Sequence, residues 1–138
     1  MQKIEFLVGS EKRFSEFISN LNEKDKIALI SHSKDIDGIV SAKVVSSAVN
    51  INLIKFVDYN ELNNSLLNEL RKNKINKVIA TDLSAETNFF KELEKFSDIL
   101  IIDHHQFKED SNTKNTKFLN AQGLCAAYIS YCLFSKIK

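Results

Sequence analysis

The sequence predicts an α/β protein, an open parallel β-sheet flanked by helices on both faces, with a metal site at the carboxyl ends of its strands. Short aliphatic runs alternate with longer amphipathic stretches along the chain. That order implies right-handed crossovers between parallel strands. The runs are nearly all apolar, as strands covered on both faces must be. Three of them also end in acids and histidines, and it is this that predicts the site.

The elements follow in order. Residues 12–21, KRFSEFISNL, put Phe14, Phe17, Ile18 and Leu21 on one helical stripe. Residues 26–31, KIALIS, read as the first strand, and 38–49, GIVSAKVVSSAV, as a helix apolar over most of its circumference. A second strand is expected over 51–57, INLIKFV. The next helix, 61–73, carries Leu62, Leu66 and Leu70 at spacing four, with its basic residues in the last turn. Strand 77–81, KVIAT, precedes helix 87–96, which carries Phe89, Phe90, Leu93 and Phe96. Strand 98–103, DILIID, is followed by a polar, glycine-free stretch, 106–118, expected to form a mobile flap. A final helix is expected from about Gly123, with Tyr128, Tyr131, Leu133 and Phe134 still needing cover.

Size and composition narrow the classes. A chain of 138 residues, 43% hydrophobic and 27% charged, is expected to be one soluble globular domain or a large piece of one. The net charge of +1 advertises no global field for nucleic acid or an acidic membrane. No apolar run approaches the ~20 residues of a membrane span, and the start lacks a signal-peptide core, so a cytoplasmic protein without membrane partners is expected. Cys125 and Cys132, seven apart on one predicted helix, are expected to be buried thiols.

The run DILIIDHHQF poses the chemical question, because four bulky aliphatic residues lead straight into Asp103, His104 and His105. The first strand ends in HSKDIDG, bringing His32, Asp35 and Asp37, and the third ends in Asp82. A parallel sheet gathers all its strand carboxyl ends on one edge, where open α/β sheets bind ligands. Taken singly, each piece has a plain explanation: a surface histidine, a turn, a helix cap. Together they crowd carboxylates that would raise one another's pKa, and a divalent cation removes that conflict. Mixed imidazole and carboxylate ligands suit Mn, Zn, Fe or Co. Two ions about 3.5–4 Å apart, bridged by a carboxylate, form the usual arrangement for displacement at phosphorus.

At these residues the sequence resembles the DHH phosphoesterase superfamily. The blocks SHSKDIDGIVSA, ATDLS and IIDHH stand in that family's order, and FLNAQGLCAAY is similar to its Asn-containing segment. The resemblance covers residues 26 to the end. It implies that His32 and Asp35 hold one metal, Asp37 and His104 the second, and that Asp82 bridges both. It implies that His105 faces the scissile phosphate and that Asp103 orients the site. It implies Mn²⁺, two ions, with Mg²⁺ or Co²⁺ as substitutes, and a metal-activated water that attacks phosphodiester or phosphoanhydride bonds. Single-stranded nucleic acid, oligonucleotide or nucleotide is the substrate so implied. His32 precedes Asp35 by three positions, where the family more often shows two or four.

A fourth block, a later Asp, is absent: no Asp or Glu follows Asp110. Residues 1–138 are thus expected to be a DHH-type catalytic domain without its carboxy-terminal substrate domain, with a partner chain or homodimer covering the last helix. The alternatives are a non-catalytic scaffold or binding module, or half of a split enzyme. A receiver-type domain gives no reason for consecutive histidines. Lys34, Lys43, Lys108 and Lys114 flank the blocks, although loop lysines are more often simply solvated.

Overall fold

The computed structural model describes residues 3–137. The elements run α1 (Glu11–Ser19), β1 (Ile27–His32), α2 (Ile36–Ala48), β2 (Leu53–Val57), a 3-10 turn (Tyr59–Glu61), α3 (Asn64–Lys72), β3 (Lys77–Thr81), α4 (Asn88–Leu93), β4 (Asp98–Asp103), β5 (Thr116–Asn120) and α5 (Ala126–Phe134). The strands form one sheet in the order β2-β1-β3-β4-β5, parallel throughout. The α/β class and the parallel sheet therefore stand as read from the sequence.

Strand alternation divides the core into two layers. Ala28, Ile30, Val78, Ala80, Ile99 and Ile101 face α3 and α4, which contribute Leu66, Leu67, Leu70, Phe89, Phe90 and Leu93. Leu29, Ile79, Leu100 and Ile102 face the other way, onto Phe14 and Phe17 of α1, Val45 of α2, and Ile129, Leu133 and Phe134 of α5. Burying each large side chain contributes ~1.5–3 kcal/mol, so these layers supply the main stabilisation of the sheet. Leu133 and Phe134 are almost fully buried, and Phe134 meets Phe14 edge-on at 4.9 Å between centroids. The expectation that both still need cover is thereby corrected; of the α5 aromatics, Tyr131 remains 56% exposed. Cys132 is buried, but Cys125, the N-cap of α5, is exposed, because α5 begins one residue after it.

The fifth strand departs from the sequence reading. Thr116–Asn120 pairs with β4 from Ile99 to Asp103, so the end of the expected flap is sheet. The turn before it is tied down. Arg13 donates from Nη2 to the carbonyls of Thr113 at 2.8 Å and Thr116 at 3.0 Å, and Asn112 exchanges hydrogen bonds with the Phe118 backbone at 2.8 and 2.9 Å. Among the described residues no helix is long and apolar enough to cross a membrane.

Candidate metal centre

The centre grows from local rules at the carboxyl ends of β1, β3 and β4. His32 is the last residue of β1 and Asp35 caps α2, its carboxylate accepting from the Gly38 amide at 3.1 Å. Gly38 is required here: a Cβ would lie 2.0 Å from the His32 carbonyl oxygen. Its absence lets the first turn of α2 close directly over the end of β1. Below, Ser31 and Ser41 contact the Thr81 hydroxyl at 2.7 and 3.0 Å, and Ser31 donates to the Gly38 carbonyl at 2.7 Å. All three hydroxyl residues are fully buried, so β1, β3 and α2 are locked together under the site.

Asp82 follows β3 with φ at +59, in the left-handed region that Asp tolerates better than most residues. Its amide donates to the Ile102 carbonyl at 3.0 Å, and its side chain is fully buried. Strain of this kind costs about 1–3 kcal/mol and persists where the surroundings impose it. Here the result is a carboxylate aimed between two sets of partners.

On one side His32 Nδ1 lies 3.6 Å from Asp35 Oδ2 and 3.8 Å from Asp82 Oδ2. On the other, His104 Nε2 lies 3.1 Å from Asp82 Oδ1, and His105 Nδ1 lies 2.6 Å from Asp103 Oδ1. Ligand atoms of His32, Asp35 and Asp82 fall within 4.8 Å of one another, as do those of Asp82, Asp103, His104 and His105. Asp82 belongs to both groups.

His32 Nδ1 and Asp82 Oδ2 are buried without a hydrogen-bond partner. Leaving such atoms unsatisfied costs ~1–3 kcal/mol each. Bonds of ~2.0–2.2 Å to one ion place two donor atoms some 3–4 Å apart, the separation seen between this pair. The donor set therefore fits a divalent cation.

Burial, a hydrogen bond shared with Asp35, and the charges of Asp37, Asp35 and Asp103 raise the Asp82 pKa to about 8. Burial also pushes Asp35 upward, but the Gly38 amide, the hydrogen bond with Asp82 and the nearby His32 outweigh it and leave its pKa lowered.

Asp37 has a second engagement. Its Oδ2 lies 3.3 Å from His104 Nε2, yet its two oxygens also accept from the amides of Ala126 at 3.0 Å and Ala127 at 2.7 Å. It thus caps α5 across the rim and lies outside both ligand groups. His105 donating Nδ1–H to Asp103 leaves Nε2 as its open nitrogen.

Two other residues at the rim, Asp58 and Tyr59, were not singled out from the sequence, and Asn120 was noted only within the FLNAQGLCAAY segment. β2 ends at Val57, which pairs with His32, so Asp58 falls beside that ring with Oδ1 3.8 Å from Nε2. The signal was the same apolar-run-then-acid pattern, in KFVDY. Tyr59 lies against His32 with ring centroids 5.3 Å apart, and its hydroxyl accepts from the Ser84 amide. Asn120, paired with Asp103, donates to the His105 carbonyl at 2.9 Å. Of the flanking lysines, Lys34 is held by Asp58 at 3.3 Å.

No family model matches the chain, and no curated protein matches it in sequence. Solved structures do match. CDC45 from Entamoeba histolytica aligns with a TM-score of 0.70 at 15% identity, over 91% of this chain and 29% of that one. Exonuclease RecJ bound to manganese aligns with a TM-score of 0.67 at 12% identity, over 96% of this chain and 37% of that one. RecJ from Thermus thermophilus in complex with Mn²⁺ aligns with a TM-score of 0.63 at 14% identity, over 96% and 21%. The chain has the DHH-type fold, and it spans between 21% and 37% of the length of these structures.

Proposed function

We propose that this chain is the metal-binding catalytic domain of a Mn²⁺-dependent phosphoesterase acting on single-stranded nucleic acid or oligonucleotides in the cytoplasm. The observation that carries the reading is buried Asp82, shared by two groups of ligand atoms, with its own Oδ2 and His32 Nδ1 left without partners. His32, Asp35 and Asp82 hold one ion. Asp82 and His104 hold a second, with Asp37 at its flank. Ions bound there supply Lewis-acid polarisation of a phosphoryl oxygen and an activated water. His105, oriented by Asp103, offers Nε2 to the phosphoryl group, and Asn120 steadies the His105 backbone from β5. The choice of Mn²⁺ is supported by the mixed imidazole and carboxylate set and by the manganese in the RecJ structures of like fold.

The neighbours' greater length supports a further domain or partner chain that grips the substrate. Hydrolysis of a short oligonucleotide and of pyrophosphate with Mn²⁺ tests the proposal, alone and with Asp82→Ala or His104→Ala. Loss of turnover in both folded variants is expected; undiminished turnover in both would refute it.

One observation favours a second reading, a non-catalytic binding module. Asp37 is committed to the Ala126 and Ala127 amides at the start of α5, and it lies outside both groups of ligand atoms. That reading predicts one bound Mn²⁺ and no turnover on either substrate.

A further inference from the structure

We propose that Asp58, at the end of edge strand β2, is a positioning residue for His32: it holds hydrogen on Nε2 and so leaves Nδ1 bare toward Asp35 and Asp82. The inference rests on the metal-binding reading for its consequence, but not for its geometry. The two nitrogens of His32 face different surroundings. Nδ1 is buried, unpartnered, and 3.6 and 3.8 Å from carboxylate oxygens of Asp35 and Asp82. Nε2 looks the other way, to Asp58 Oδ1 at 3.8 Å. A neutral imidazole carries one hydrogen, and the hydrogen on one nitrogen decides whether the other can be a ligand. Histidines that bind metal usually give their second N–H to a carboxylate, which fixes the ring and its tautomer.

Asp58 is placed for this by the sheet and held there by local bonds. The β1–β2 register sets Val57 opposite His32, and the Ser33 amide donates to the Val57 carbonyl at 2.9 Å. Asp58 then accepts from the Tyr59 amide at 2.8 Å, donates its own amide to Glu61 at 2.9 Å, and pairs with Lys34 at 3.3 Å. Tyr59 flanks the same ring, so the imidazole is confined on two sides. At 3.8 Å the contact is longer than a hydrogen bond; a small ring tilt or one bridging water completes it.

A simpler role for Asp58 is to cap the 3-10 turn. Serine caps as well as aspartate does, but it is too short and carries no charge to act on His32. Asp58→Ser therefore separates the two roles, and Asp58→Asn, which keeps an acceptor oxygen, is the conservative companion.

The test has two readouts on the 138-residue chain. Nitrogen-15 NMR of the metal-free protein, at a pH where His32 is neutral, reports which ring nitrogen carries hydrogen. Mn²⁺ calorimetry reports affinity. The Nε2–H form is expected to dominate in the wild type and to give way to a mixture in Asp58→Ser. Mn²⁺ affinity is expected to fall by about 10–100-fold in Asp58→Ser, with Asp58→Asn between the two. An Asp58→Ser protein with the wild-type tautomer, or with wild-type Mn²⁺ affinity, overturns the inference. A wild type that shows the Nε2–H tautomer but binds no Mn²⁺ overturns the metal-binding reading instead, while leaving Asp58's hold on the ring in place.

Discussion

The two edges of the sheet handle charge in opposite ways. At the amino edge polar groups meet local partners: Lys77 pairs with Asp98 at 2.6 Å, Asn52 accepts from the Ile27 amide at 2.8 Å, and Asn76 joins the Lys26 amide to Asp25. At the carboxyl edge, Asp35, Asp37, Asp58, Asp82 and Asp103 crowd around three histidines, and two buried ligand atoms have no partner. The amino edge is a finished structural joint. The carboxyl edge carries strain and crowded carboxylates that a proton on Asp82 or, on the reading proposed above, a bound cation relieves.

Substitutions at the two edges should therefore diverge. The largest effect is expected from Asp82→Ala, with Mn²⁺ binding and any Mn²⁺-dependent hydrolysis reduced by at least ~100-fold while the metal-free fold stays intact by circular dichroism. Gly38→Ala should affect both properties, because a methyl 2.0 Å from the His32 carbonyl must displace either β1 or α2. A loss of about 1–3 kcal/mol in urea unfolding is expected, together with weakened Mn²⁺ binding. At the other edge, Lys77→Ala should cost no more than ~1 kcal/mol, the range of a partly exposed ion pair, and leave Mn²⁺ binding unchanged.

The pH dependence sharpens the contrast. The folded Asp82 pKa of about 8 lies above the ordinary value of 3.8. Between those values the folded state binds more protons than the unfolded one, so this carboxyl's contribution to stability falls as pH rises through the window. The melting temperature of the metal-free protein should decline from about pH 5 to about pH 8, beyond any decline in Asp82→Asn. Saturating Mn²⁺ should flatten the wild-type profile, since the ion favours the ionised carboxylate.

What could be read from the sequence follows from what is local. β1, β3 and β4 are built on apolar runs and β2 on one broken at Lys55, and β3 and β4 keep the expected limits. β2 starts two residues later than expected, since Asn52 turns out to cap the β1 backbone rather than extend the strand. β5 has only Phe118 and Leu119 amid polar neighbours. Its strand character comes from pairing with β4, which no local pattern records. The acids and histidines after β1, β3 and β4 were legible because parallel strands must end on one edge. Three features were not legible. The Ser31–Ser41–Thr81 layer, the capping of α5 by Asp37, and the hold of Asn120 on His105 all depend on residues that meet only through tertiary packing. Asp58 is different, since its signal was present and became meaningful only once β2 was known to lie beside β1.

The most direct measurement is calorimetric titration of Mn²⁺ into the wild type and Asp82→Ala near neutral pH, repeated in buffers of different ionisation enthalpy. Two ions per wild-type chain are expected, with release of a proton as Asp82 ionises and loss of both sites in Asp82→Ala. A wild type without Mn²⁺ binding, or an Asp82→Ala chain that keeps both sites, would contradict a centre built on the shared carboxylate.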